Sequence, residues 1–246
     1  MNIKKIGMTG FAFVSIATIM LATDLEVKAA SVTGDSKADI TFKLGQNDPI
    51  DPLDPINPDP DEPITPDPDD EDGFPVTGPL SIDYVSNIHF GDAKISGSAA
   101  VYNAKMDNVN FSGTKKDVPN FVQVSDNRGS NEGWRLTVKQ NGQFKADNVE
   151  KTELTGAELS LKELQATSLS GNQAPTLVAN TVLNPNGGVS VVATAAKDKG
   201  MGTWSLSYGD GTGTYDSIQL AVPSSTKKLE KAYKTTLTWE LAEVPA

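Results

Sequence analysis

The stretch "GWRLTVKQ", residues 133–140, alternates strictly, with Trp134, Leu136 and Val138 separated by Arg135, Thr137 and Lys139. Successive side chains of a β-strand point to opposite faces, so this pattern reads as a strand with one apolar and one polar face. A helix would instead space its apolar residues three and four apart. The same period of two extends outward over most of the chain. "GAELSLKE" (156–163) aligns Ala157, Leu159 and Leu161, and "GVSVVATA" (188–195) aligns Val189, Val191 and Ala193. "GTWSLSYG" (202–209) aligns Trp204, Leu206 and Tyr208, and "SIQLAVP" (217–223) aligns Ile218, Leu220 and Val222. Turn signals separate these runs: "DNRGSNEG", "QNGQ", "NPNGG", "KDKGMG" and "GDGTG". Only "SSTKKLEKAY" (224–233) reads as mildly helical. The expectation is an all-β fold, a single β-sandwich or barrel-like domain of about ten short strands over residues 80–246.

The other end of the chain has a different character. Lys4 and Lys5 precede the apolar run "IGMTGFAFVSIATIMLA", and a short polar stretch leads to "VKAA". Basic, apolar and small residues in that order describe a secretory signal peptide. Val27 and Ala29 suit the −3 and −1 positions, which puts cleavage after Ala29 and leaves residues 1–29 out of the fold. A retained membrane anchor fits less well, because two glycines and several Ser/Thr interrupt the run. The chain contains no cysteine, which removes disulfides, thiol catalysis, thiolate metal sites and a lipidated N-terminal cysteine. No Leu-Pro-x-Thr-Gly sorting signal occurs, so attachment to a cell surface would be non-covalent.

Between Gln46 and Pro79 lie eleven acidic residues, ten prolines and no Lys or Arg. Proline lacks a backbone donor and the carboxylates repel one another, so residues 46–79 read as an extended, disordered Asp/Pro-rich loop. Deleting Asp48 to Asp72 should leave the domain folded. Its charge of −11 accounts for nearly all of the net charge that remains once the leader is gone, so the folded part is close to neutral. Prolines at every second or third position prevent the wrap of an EF-hand calcium loop. Ahead of it, "ADITFKLG" alternates Ile40, Phe42 and Leu44, and residues 30–45 are expected to supply a strand that docks on the main domain.

Catalytic constellations are missing. His89 is the single histidine, and no Gly-x-Ser-x-Gly elbow is available to face it with a nucleophile. Zinc would need several His or Cys ligands. "SYGDGTGTYD" precedes no helix and lacks the lysine of a phosphate loop, so it reads as a hairpin loop. A near-neutral domain has no basic stripe for nucleic acid. Any two of the domain's seventeen acids could converge for glycoside cleavage, but nothing in the sequence marks such a pair. No enzyme, no metal and no cofactor is expected.

The C-terminal stretch "YKTTLTWELAEVP" (233–245) places Tyr233, Leu237, Thr238, Trp239, Leu241 and Pro245 at the spacing of the distal motif of WxL-domain surface proteins, which it resembles. Trp134-Arg135-Leu136 is similar to the family's upstream Trp-x-Leu. "GPLSIDYVSNIHFGD", the leader and the Asp-Pro segment extend the likeness over essentially the whole mature chain. Trp204-Ser205-Leu206 adds a third Trp-x-Leu that the resemblance does not assign. The resemblance implies a surface protein of low-GC Gram-positive bacteria, attached non-covalently to peptidoglycan and often assembled with WxL-interacting partner proteins.

Trp and Leu at i and i+2 share one strand face, which is either core or an outward stacking platform. The polar opposite faces (Arg135 and Thr137, Ser205 and Ser207, Thr238 and Glu240) favour core for Trp134 and Trp239. For Trp204, flanked by glycine loops, both readings stand. Tyr233, Leu237, Trp239 and Leu241 are expected to form one continuous stripe. Two functions follow: a module that grips peptidoglycan itself, or a structural subunit of a surface complex retained mainly by a protein partner. A hydrolase acting on wall or dietary glycan is a minor third.

Overall fold

The computed structural model describes residues 37–42, 50–65, 70 and 77–244. Seventeen short strands and no helix occur among them. They begin with β1 (Ile64–Thr65), β2 (Leu80–Val85), β3 (Ala100–Asn103), β4 (Asp107–Phe111), β5 (Thr114–Val118) and β6 (Phe121–Asp126). The middle of the chain forms β7 (Trp134–Gln140), β8 (Lys145–Ala146), β9 (Glu158–Lys162), β10 (Leu164–Thr167), β11 (Thr176–Leu177) and β12 (Asn180–Val182). The last five are β13 (Val189–Ala195), β14 (Gly202–Tyr208), β15 (Ile218–Val222), β16 (Tyr233–Lys234) and β17 (Leu237–Glu243). The all-β expectation holds, with more and shorter strands than the alternation alone suggests.

The strands form five small antiparallel sheets rather than a few long ones. Three are four-stranded, in the orders β10-β14-β6-β2, β12-β9-β15-β3 and β11-β13-β7-β17. A three-stranded sheet β1-β4-β5 and the pair β16-β8 complete the set. The apolar faces of the three larger sheets meet in one core. Val122, Val124 and Leu206 come from the first sheet, Leu159 and Ile218 from the second, and Trp134, Leu136 and Val138 from the third. This core has to hold the chain by packing, because there are no cysteines to cross-link it.

The period-two reading holds at β7, β9, β14 and β15 and fails at β13. A bulge between Val191 and Ala193 shifts the register against β7. Val192, Ala193 and Ala195 are therefore buried, while Val189 and Val191 are exposed. One extra residue flips the face of everything beyond it, and alternation cannot reveal where that residue sits. The stretch 224–233 is not helical. It carries turns from Pro223 to Thr226 and from Leu229 to Lys231, with the Thr226 hydroxyl donating to Thr155 O at 2.8 Å.

The Asp/Pro-rich segment departs furthest from expectation. Residues 50–65 are built into the domain, not a structureless loop. Leu53 N donates to Gln123 Oε1 at 2.8 Å, and Gln123 Nε2 donates to Asp51 O at 3.2 Å. Asp54 is buried, accepts from Ile56 N and Asn57 N, and pairs with Lys116 Nζ at 2.5 Å. Ile64 pairs with Phe111 and fills a second small core with Tyr84, Val109, Val118 and Phe121, where Tyr84 and Phe121 stack at 4.6 Å. The physical reason is local. Leu53 and Ile64 supply apolar anchors, Asp54 closes a turn with its own carboxylate, and prolines suit a segment that needs few backbone donors.

This segment straps the outer face of the β10-β14-β6-β2 sheet. The inner face carries Trp204, Leu206, Val122 and Val124. The outer face carries Asp83, Gln123, Ser125, Ser205 and Ser207, and these polar residues are buried as well. Asp83 accepts hydrogen bonds from Ser81 Oγ (2.6 Å), Ser125 Oγ (2.6 Å) and Gln123 Nε2 (3.2 Å). Burial still raises the Asp83 carboxyl above its ordinary value, and these three bonds oppose the rise.

The expected N-terminal strand falls only partly within the described residues. Residues 37–42 carry no strand, and Ile40 (76 % exposed) and Phe42 (86 % exposed) bury no common face. Leu44 and the leader (1–29) lie outside the described residues.

Candidate functional site

The two motif strands are neighbours. β7 and β17 pair antiparallel, with Leu136 opposite Leu241, Val138 opposite Trp239 and Trp134 opposite Glu243. Residues directly opposite in an antiparallel pair share a face, so both Trp-x-Leu motifs lie on the core side of one sheet. Their burial differs. Trp134 and Leu136 are fully enclosed, whereas Leu237, Trp239 and Leu241 are half-buried at the rim because β17 is the sheet's outer strand.

Trp204 is buried too (4 % exposed), which resolves its orientation in favour of the core. The indole of Trp134 donates to Gly200 O at 2.8 Å, and that of Trp204 donates to Met201 O at 3.2 Å. Two tryptophans from different sheets are thus held by consecutive carbonyls of one loop. Gly200 sits at φ +69°, and a Cβ there would come within 2.7 Å of the Trp134 indole nitrogen. Only glycine can pass at that distance in that conformation.

Arg128 locks the ends of the paired strands. Its guanidinium donates to both carboxylate oxygens of Asp126 at 2.9 and 2.8 Å, to Gly133 O at 2.7 Å and to Glu243 Oε1 at 2.5 Å. The side chain is almost wholly buried, and the flanking carboxylates raise its already high pKa, so it stays charged. Nothing in the sequence singles Arg128 out. It lies in a loop, and its partners come from three separate strand ends.

The remaining distal-motif residues separate. Thr238 is exposed and its hydroxyl accepts from Asn141 Nδ2 at 2.8 Å. Tyr233 does not extend the β17 stripe. It sits in β16, paired with β8, and its hydroxyl accepts from Leu229 N at 2.8 Å. The expected continuous stripe fails because the chain leaves one sheet and enters another between Lys234 and Leu237. Pro245 lies outside the described residues.

His89 Nε2 lies 2.9 Å from Asp70 Oδ2 on an exposed edge. Asp107, buried beside the Tyr84 hydroxyl (2.7 Å), has its carboxyl raised chiefly by burial. Among the described residues no group of three or more His, Asp or Glu is placed to hold a metal ion.

A family model described as "WxL domain surface cell wall-binding" matches residues 29–245, nearly the whole chain. No curated protein and no solved structure matches it.

Proposed function

The chain belongs to the WxL family of surface cell wall-binding domains, and on that premise we propose that it is an exported surface protein of a Gram-positive bacterium held non-covalently on peptidoglycan. The domain is the binding module and carries out no reaction. The Trp-x-Leu motifs act as its frame. The family match supports the wall-binding reading. The observation that makes the motifs a frame is that Trp134 and Trp204 are buried with each indole N–H bonded inside the protein, while Trp239 packs half-buried against the same core. A tryptophan whose N–H and face are both used internally has nothing left to present to a wall polymer.

A second reading, retention by a WxL-interacting protein partner, is favoured by β17. It is an outer strand whose second edge pairs with no strand among the described residues, and it carries a half-buried Trp239, the kind of edge that accepts an added strand. Sedimentation separates the two. The purified protein is mixed with protein-free Gram-positive walls or with intact cells. Co-sedimentation with bare walls is expected. Binding to intact cells alone would overturn the direct reading in favour of the partner.

A further inference from the structure

Resting on the wall-binding reading, we propose that the cleft between the Asp/Pro strap and the β10–β14 side of its sheet is a saccharide site for a neutral sugar of a glycan strand. The cleft has a volume of about 410 Å³, inside the range of roughly 300–1,000 Å³ common for small-molecule sites. Its two walls differ in chemistry. The strap contributes Leu53 and the rings of Pro58, Pro60 and Pro63. These are rigid apolar surfaces that lose little side-chain entropy when a ligand settles on them. The sheet side contributes Ser168, Ser170 and Thr203, and a hydroxyl both donates and accepts, as a sugar hydroxyl does.

These hydroxyls are oriented from beneath. Ser125 Oγ donates to the Asp83 carboxylate at 2.6 Å, which uses its single proton. The 2.7 Å contact between Ser125 Oγ and Thr203 Oγ1 is therefore donated by Thr203, leaving the Thr203 oxygen as an acceptor. Ser168 Oγ donates to Thr203 O at 2.6 Å and lies 2.9 Å from Ser170 Oγ. The floor presents the Thr203 and Ser170 oxygens as acceptors, Thr203 fixed through Ser125 by a buried carboxylate, and Asp51 adds a further acceptor on the strap. Among the described residues no lysine or arginine lines the cleft. These residues offer an anionic wall polymer or a carboxylate-bearing stem peptide no counter-charge, whereas a neutral sugar offers the hydroxyl donors this floor requires.

The test titrates the full mature protein calorimetrically with tri-N-acetylchitotriose, with a D-Ala-D-Ala-ended pentapeptide and poly(glycerol phosphate) as comparison ligands. Saturable binding of the trisaccharide alone is expected. Thr203→Val, which keeps the shape and removes the oxygen, should weaken it about tenfold, the size of one lost hydrogen bond. Ser170→Trp should abolish it by filling the cleft. Thermal melts accompany both variants, and Thr203→Val carries the test if Ser170→Trp melts early. Absence of trisaccharide binding, preference for either comparison ligand, or indifference to Thr203→Val would overturn the assignment. Sedimentation with bare walls keeps the two readings apart. Variants that lose the trisaccharide yet sediment like the parent place the wall contact elsewhere. A parent that binds the trisaccharide but stays in the supernatant when bare walls are pelleted keeps the cleft and sinks the wall reading.

Discussion

Leu136 stands directly opposite Leu241 across the β7–β17 pair, so two Trp-x-Leu motifs from distant parts of the chain form a single structural unit. Their side chains share the core-facing side of the sheet, and the pair should be energetically coupled. Leu136→Ala is expected to destabilise the domain by about 2–5 kcal/mol, and Leu241→Ala, at the half-buried rim, by less. The double variant should fall short of the sum by about 0.5–3 kcal/mol. Denaturant melts of the four proteins check this, and strict additivity would show that the motifs do not act together.

Trp134 and Trp239 occupy related motifs but unequal environments. Trp134→Ala removes a fully buried ring bonded to Gly200 O and should cost about 3–5 kcal/mol, a large part of the roughly 5–15 kcal/mol of a typical domain. Trp239→Ala should cost distinctly less, because part of that ring already meets solvent. Wall retention should follow the melting temperature in both. A Trp239→Ala protein that melts like the parent but no longer sediments would make Trp239 a contact rather than a frame residue.

Replacing residues 50–65 by a Gly/Ser linker of equal length should lower stability, although composition alone suggests a dispensable loop. The exchange removes Ile64 from the small core and uncovers Gln123, Ser125 and Asp83. A fall in melting temperature with increased proteolysis between β2 and β6 is the expected outcome. An unchanged melt would show that the strap contributes no net stability.

Asp83 makes stability depend on pH in a definite direction. Its folded-state carboxyl lies above the ordinary 3.8 because burial disfavours the charge. Between those two values the folded protein binds more protons than the unfolded chain, so this residue's contribution falls as pH rises through the window. Below 3.8 the penalty is absent, and above the folded value it is fully present. Parent and Asp83→Asn proteins compared by melts at about pH 4 and pH 7 should show the variant gaining on the parent at the higher pH. A constant difference would mean that Asp83 is not desolvated.

Tyr208 is fully enclosed in β14, and its hydroxyl has no hydrogen-bond partner among the described residues. Burial accordingly pushes the phenol well above its ordinary value. An unpaired buried hydroxyl costs about 1–3 kcal/mol, so Tyr208→Phe should be neutral or stabilising by up to that amount. A clear loss of stability on melting would reveal an internal water or other partner for the hydroxyl.

The sequence by itself determined the all-β class of fold and the family, whereas "SYGDGTGTYD", read as a hairpin loop, instead joins β14 to β15 in a different sheet. Alternation at "GWRLTVKQ", "GAELSLKE" and "GTWSLSYG" is a local property, since side-chain parity along a strand follows from backbone geometry alone. The spacing from Tyr233 to Pro245 is likewise carried within thirteen residues. Parity groups side chains on a face but does not say which face meets the core. Only the tertiary structure turned Trp204 inward, left Trp239 at a rim and inserted the bulge at Val192. It alone placed β17 beside β7, drew Arg128 between three strand ends and laid an acidic, proline-rich segment over a polar sheet face. Each of these outcomes depends on hydrogen bonds and packing between residues far apart in the chain, and their energies are not written in any local pattern.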